Sequence, residues 1–283
     1  RVMVMNNGIS QEGQQWGDEH GVEIDEYDIG SVEILKGPAS LAFGSDALAG
    51  VINFLPPQTL PEGVIKGGIL TNYQTNNGLF GNSVNMGGNK KGIIWDIRYS
   101  NKQAHAYQNK FDGYVFNSGF KESNIAAILG INRAWGYSHL NFSSFYLSPG
   151  IIEGERDAVS GQFVKPIALN DSTEDKVLAA NADFKSYQSF IAFQKIHHYK
   201  LVVNNHFILG KNSLKATLGW QQNQRQEYDN ILKPNEYGLF FNMNTFNYSL
   251  KYNLEEKKNL NFSFGVNGMY QNSQNKGVEF LIP

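Results

Sequence analysis

The densest set of side chains able to do chemistry is Asp18-Glu19-His20, inside a polar, Gln-rich stretch at residues 11–21. Imidazole nitrogen and carboxylate oxygen are good zinc ligands, and an open site could draw more ligands from elsewhere in the chain. The other histidines worth weighing are His105 and the adjacent pair His197-His198. Neighbouring residues in a strand point to opposite faces, so His197 and His198 cannot share one site. A plainer role for the acids is also physical. Asp18 and Glu19 stand just ahead of a short helix expected around residues 23–27, and negative charge favours a helix N-terminus. The same scan finds no enzyme: there is no Gly-x-Ser-x-Gly elbow, no paired metal-ligand His spacing and no phosphate loop.

What must position these residues follows from composition and pattern. The 283 residues include 29 Gly, 8 Pro and no Cys, so there is no disulfide framework and no thiolate metal site. A net charge of -2 gives no footprint for nucleic acid. Residues 1–5 do not begin a signal peptide, and no apolar run reaches the roughly 18 residues of a membrane helix. Aromatics nevertheless make up 13% of the chain, with abundant Asn and Gln, a mixture that suits a barrel with a lipid face and a wet lumen.

Beyond Pro56-Pro57 the chain is a series of period-two segments. Leu260, Phe262, Phe264, Val266 and Tyr270 alternate with Asn261, Ser263, Asn267 and Gln271. Phe246, Tyr248, Leu250, Tyr252 and Leu254 oppose Asn247, Ser249, Lys251 and Asn253. Such strands lie between an apolar and a polar medium. About nine are expected, at 63–74, 78–89, 93–105, 122–134, 137–148, 196–209, 213–227, 238–254 and 259–274. Short turns near residues 88–92, 134–137, 210–213 and 255–259 alternate with longer links near 105–121, 149–195 and 228–237. Outer-membrane barrels have short periplasmic turns and long extracellular loops, so the alternation also gives an orientation. A soluble sandwich shares the residue alternation but not this regular change of loop length. An odd strand count and two long open edges lead us to expect a truncated barrel. The link 149–195, with Glu153, Glu155, Asp157 and Asp175, is expected to be functional or disordered.

The first 57 residues read differently. A strand at residues 1–5 ends at Asn6-Asn7-Gly8; another spans 31–36; Gly37-Pro38 breaks it; one helical turn at 39–43 stops at Gly44; a last strand runs 51–54. Gly37 and Gly44 permit backbone angles other residues resist, Pro38 fixes a turn, and Glu33 and Lys36 could pair. The run from Val32 to Asn53 has an acidic residue in a strand (Glu33), basic-Gly-Pro (Lys36-Gly37-Pro38), small residues, aromatic-Gly (Phe43-Gly44) and Gly50-Val51-Ile52-Asn53. In this order and spacing it resembles the C-terminal part of the plug of TonB-dependent outer-membrane receptors. Val2 to Gly8 resembles that plug's strand and turn. The resemblance is tight over 1–55 and a pattern only over 58–283.

The resemblance implies an all-β transmembrane barrel, here about nine antiparallel strands of a truncated, roughly 22-stranded barrel, preceded by part of an α+β plug. It assigns residues 1–57 to the C-terminal half of the plug and 58–283 to the N-terminal portion of the barrel. It implies the bacterial outer membrane, contact with lipid, a small ligand arriving from outside, and a TonB-type energising protein acting through an absent N-terminal segment. The implied function is energy-coupled uptake of a scarce nutrient, foremost a metal ion or metal complex: a ferric siderophore, haem or zinc. No resident cofactor is implied. Gln15, Trp16, Asp18, Glu19 and His20 would lie on the apical plug loop and meet substrate. Glu19-His20 resembles the acid-His pair of zinc and metal-complex receptors, with His197, His198 and His105 as outer ligands. Glu33, Lys36, Gly37, Pro38, Gly44 and Gly50 would frame the plug internally. The alternatives are a non-transporting barrel, adhesin or porin-like, and a glycan importer of the same superfamily. Glycan importers typically carry Asp where Gly37 stands, and a plug ahead of the barrel favours a gated receptor over a plain pore or an enzyme.

Overall fold

A computed structural model describes residues 2–13, 21–255 and 260–279. Two sheets dominate it. The first is small and mixed: β1 (Met3–Asn6), β2 (Ile9–Ser10), β3 (Ser31–Leu35) and β4 (Val51–Leu55), in the order β2-β1-β4-β3. β1 runs parallel to β4, and β3 antiparallel to it. The turn between β1 and β2 places Asn7 at φ +58° and Gly8 at φ +84°, angles that Asn and Gly tolerate best. Met5, Ala47 and Val51 form a small core, joined by Met3, Leu35 and Phe43. Gly37 and Gly44 have φ of +72° and +95°, bracketing a 3₁₀ helix at Gly37–Phe43 that begins with Pro38 at its second residue. Gly50 is needed twice over. Its φ is +127°, and a Cβ there would approach the Leu35 carbonyl oxygen to 2.7 Å.

Two expectations for this region are corrected. The helix near residues 23–27 is a single 3₁₀ turn at Glu26–Asp28, started by the Asp25 carboxylate accepting from the Tyr27 N–H. Glu33 does not pair with Lys36. It accepts from Asn53 Nδ2 at 3.2 Å, because β3 and β4 are registered with those two residues opposite.

The second sheet has nine strands: β5 (Ile65–Gln74), β6 (Leu79–Lys90), β7 (Ile93–Ala104), then β10 (Phe120–Arg133), β11 (Gly136–Pro149), β14 (Phe193–Leu209), β15 (Asn212–Tyr228), β16 (Leu239–Asn253) and β17 (Ser263–Asn275). All nine expected strands are present, each antiparallel to the one before it, in an open sheet edged by β5 and β17. Between β7 and β10 lies a minute hairpin, β8 (Gln108–Asn109) and β9 (Gly113–Tyr114).

The link expected to be functional or disordered is built. It forms the hairpin β12 (Val164–Asn170) and β13 (Thr173–Leu178) and a helical turn at Asn181–Phe184. Rather than standing alone, it packs against the β7–β10 link through Phe116, Phe163, Phe184 and Phe190. Arg156 clamps the two with a 2.6 Å bond to Asp112.

The outward face of the large sheet is apolar and uncovered. One row of cross-strand neighbours reads Met86, Ile97, Ala127, Phe142, Leu201, Trp220, Phe246 and Tyr270. Two residues nearer the long loops, the row begins Ile69, Val84, Tyr99 and Ile125 but ends Tyr199, Gln222, Asn244 and Asn272. The apolar belt therefore slants across the hydrogen-bond rows. Tilted strands crossing a flat bilayer require that slant. Exposed Ile69, Leu129, Leu218, Phe246, Phe264 and Tyr270 form a belt far larger than a soluble surface tolerates.

Candidate functional site: the plug–barrel seam

The inward face of the same strands is polar, and the small sheet sits on it. Two barrel glycines allow close approach. A Cβ at Gly219 would come within 2.8 Å of Ile9 Cδ1, and one at Gly81 within 2.6 Å of the Tyr27 hydroxyl. Lys102 Nζ lies 4.6 Å from the centre of the Tyr27 ring. Near Met3, Met5, Ile9 and Phe43 the two bodies part, leaving a cavity of about 570 Å³ against β16 and β17.

Above this cavity, a short acidic run in the plug meets basic side chains from the barrel. Glu23 Oε1 accepts from Arg225 at 2.6 Å, and Glu23 Oε2 accepts from Asn223 at 3.3 Å. The buried ring of His198 lies 3.8 Å from the same carboxylate and 3.1 Å from Asn223. Asp25 accepts from the Ser100 hydroxyl at 2.6 Å and from Lys102 at 3.4 Å. Lys102 also reaches Glu26 at 2.9 Å and Glu122 at 2.8 Å, so one buried ammonium gathers three carboxylates. Asp28 faces Arg98 at 3.5 Å.

Residues 11–12 complete the seam. Gln11 donates to the Glu23 carbonyl at 3.0 Å and accepts from Lys200 at 3.2 Å. Gln221 accepts from the Glu12 N–H and donates to the Ser10 carbonyl. Residues 11 and 23 are thus bonded to each other, residue 11 also to β14 through Lys200 and residue 23 also to β15 through Asn223 and Arg225. Burial sets the electrostatics here. It pushes the Glu23 carboxyl above its ordinary range, against the pull of Arg225. Burial likewise raises Asp28 to about 6, with Arg98 opposing and the charges of Asp25 and Asp96 adding.

Of the residues singled out from sequence, Gln15, Trp16, Asp18, Glu19 and His20 lie outside the described residues. His198 belongs to the seam. His197 does not, since it faces outward against Tyr146 at 4.7 Å and Tyr199 at 6.1 Å between ring centres. His105 lies apart from both, against Tyr114 and Tyr187, with Nδ1 on the Ala106 carbonyl. Among the described residues, no three His, Cys, Asp or Glu side chains gather as metal ligands would. Glu33 lies on β3, and Gly37, Gly44 and Gly50 hold positive-φ positions in the turns of the plug's own sheet.

The sequence reading missed Gln11, Glu23, Asp25, Glu26 and Asp28 on the plug, and Arg98, Lys102, Lys200 and Arg225 on the barrel. The signal was present. Each of these four barrel residues is a charge at an inward position of a strand, where a charge needs a partner.

Residues 1–51 match the family model described as TonB-dependent Receptor Plug Domain. The whole fold is similar to solved siderophore receptors at low identity. The siderophore receptor PiuA from Acinetobacter baumannii aligns at TM-score 0.63 and 15% identity, over 96% of this chain and 38% of that one. A mutant of the ferric enterobactin receptor from Pseudomonas aeruginosa aligns at TM-score 0.64 and 12% identity, over 97% and 41%. The ferric yersiniabactin uptake receptor from Yersinia pestis aligns at TM-score 0.61 and 15% identity, over 96% and 40%. The chain spans about two fifths of the length of these receptors. With a plug segment seated on the inner wall of a sheet whose outer face is apolar, the chain has a plug-and-barrel fold similar to that of these receptors.

Proposed function

We propose that this chain is part of a gated outer-membrane receptor for energy-coupled uptake of a metal complex, with a ferric siderophore as the leading substrate class. One observation carries the reading: a plug that matches its family model is sealed to the barrel wall by the buried contacts of Glu23, Asp25 and Asp28. A closed seam of this kind blocks passive flow, so transport needs work done on the plug. A TonB-type protein supplies that work in this reading. The relatives are named as receptors for siderophores, ferric enterobactin and ferric yersiniabactin, which supports a metal complex over a glycan.

Residues 1–57 act as the C-terminal half of the plug and 58–283 as the N-terminal portion of the barrel. Gln15, Trp16, Asp18, Glu19 and His20 contact the substrate from the plug apex. The receptor has no resident cofactor and no enzymatic step, and the metal is cargo. Zinc remains the second reading, carried by the chemistry of Glu19-His20, with His198 the histidine nearest the plug.

The test uses the full-length receptor. Ferric siderophores, haem and zinc are titrated separately by calorimetry, on the wild type and on His20→Ala. Saturable binding of a ferric siderophore, together with siderophore-dependent growth that needs the energising protein, supports the main reading. Zinc binding abolished by His20→Ala, without siderophore binding, replaces it with the second. Passive growth without the energising protein contradicts both.

A further inference from the structure

Plug and barrel are joined by residues 56–64, between β4 and β5, and this strap is stiff and tied at both ends. Pro56, Pro57 and Pro61 fix backbone angles within it. At its plug end, the Gly30 N–H donates to the Leu55 carbonyl at 2.9 Å. Along the inner wall, Leu60 borders a small hollow with Ile94 and Ile128. At its barrel end, Asn89 Nδ2 donates to the Leu60 carbonyl at 2.8 Å, and the Gly63 N–H donates to the Asn89 carbonyl at 2.8 Å.

Glu62 adds a second tie. β6 and β7 are joined by the two-residue loop Lys91-Gly92, with φ of +54° and +69°. Positive φ at both positions is the type I′ turn that suits a hairpin. Glu62 accepts both N–H groups of that loop, Lys91 with one carboxylate oxygen and Gly92, at 2.9 Å, with the other. The Gly92 and Lys91 bonds hold the Glu62 carboxyl below its ordinary range, with Arg133 adding to the effect. The next turn braces the loop. Arg133 Nη1 donates to the Lys91 carbonyl at 2.6 Å, and the Asn132 N–H donates to the Gly92 carbonyl at 2.7 Å. Glu62 is exposed, so packing does not account for its place.

An extended strap free from residue 55 to residue 65 would span roughly 35 Å, whereas one held at residue 60 leaves roughly 17 Å. We propose that Glu62 is a positioning residue that anchors the strap to the β6–β7 turn, so that the C-terminal end of the plug stays at the barrel wall while the rest of the plug is pulled. The role in transport rests on the reading that an energising protein pulls the plug; the anchor itself does not.

The test is a single-molecule force measurement on the full-length receptor in a phosphatidylcholine bilayer, pulled by its N-terminal end with no substrate present. In the wild type, the chain released before the first barrel strand yields should end at Leu60. In Glu62→Ala it should end at Gly63, where backbone pairing with Asn89 takes over, and the released length should be about 10 Å greater, three extended residues. Glu62→Gln keeps one acceptor oxygen and should show both lengths. An unchanged Tm shows that the variants are folded. Spin labels on Gln58→Cys and Lys211→Cys read the same anchor at rest, with one narrow distance expected when Glu62 is present and a broad spread in Glu62→Ala. Uptake by the wild type without the energising protein would overturn the role in transport, whereas released length and label distance decide the anchor alone. An unchanged released length in Glu62→Ala, a wild-type release that already reaches Gly63, or a narrow label distance without Glu62 would overturn the proposal.

Discussion

On the inner face of β14, His198 and Lys200 are sealed beneath the plug. One residue away on the outer face, His197 stacks on tyrosines and Leu201 faces lipid. β15 repeats the contrast, with Gln221, Asn223 and Arg225 inside and Leu218 and Trp220 outside. The same strands thus solve two problems. Outside, the belt is secured by area and needs no partner. Inside, Arg98, Lys102 and Arg225 each meet a carboxylate that the plug brings, and Lys200 meets the side-chain oxygen of Gln11. The outer face is therefore self-sufficient, whereas the inner face depends on a second body. A gate requires this asymmetry, since only one of the two faces can be emptied without losing the barrel.

The largest way to break the comparison is Lys102→Ala. It strands Asp25, Glu26 and Glu122 with no cation, and loss of one buried partner costs about 3–5 kcal/mol. Thermal unfolding of the full-length receptor should show a clear fall in Tm. Next come paired arginine substitutions on the outer face. Phe246→Arg, in the belt, should cost about 2–4 kcal/mol, while Gln224→Arg, above it on the same face, should cost about 0–1 kcal/mol. Equal penalties in a bilayer unfolding assay would mean that the belt is misplaced.

Asp28 gives a pH signature of intermediate size. Its carboxyl is raised from 3.8 to about 6 in the folded seam, so folding favours the protonated form. That contribution is fully present below about pH 4 and is lost as pH rises through about 6, a change on the order of 3 kcal/mol. Unfolding midpoints measured from pH 4 to 8 should fall over this window in the wild type and stay flatter in Asp28→Asn. Glu33→Gln should have the smallest effect, under about 0.5 kcal/mol by the same assay, because its bond to Asn53 is exposed.

The barrel was legible because period-two alternation is local: nine apolar-out segments can be read one at a time. The plug was legible because positive-φ glycines at 37, 44 and 50 leave a fixed spacing. The seam was not, since its bonds join residues far apart in the chain, such as Asp25 with Ser100 and Glu23 with Arg225. Spacing along the sequence carries no record of which inward charge meets which plug carboxylate. The β12–β13 hairpin escaped for another reason. Its strands carry Lys165, Pro166, Glu174, Asp175 and Lys176, which hide the alternation, and the cluster that holds its link includes Val115 and Phe116 from another link.

The central claim is that plug residues 23–28 rest on the inner wall of this sheet, and the absence of cysteine from the 283 residues makes it directly testable. Asp25→Cys combined with Ser100→Cys joins the two shortest side chains across the seam, whose polar atoms are 2.6 Å apart. Asp25→Cys combined with Tyr99→Cys moves the barrel partner by one residue, and therefore to the outer face. In intact outer membranes under mild oxidation, the account predicts a disulfide in the first pair and none in the second. A disulfide in the second pair, or equal yields in both, would contradict it.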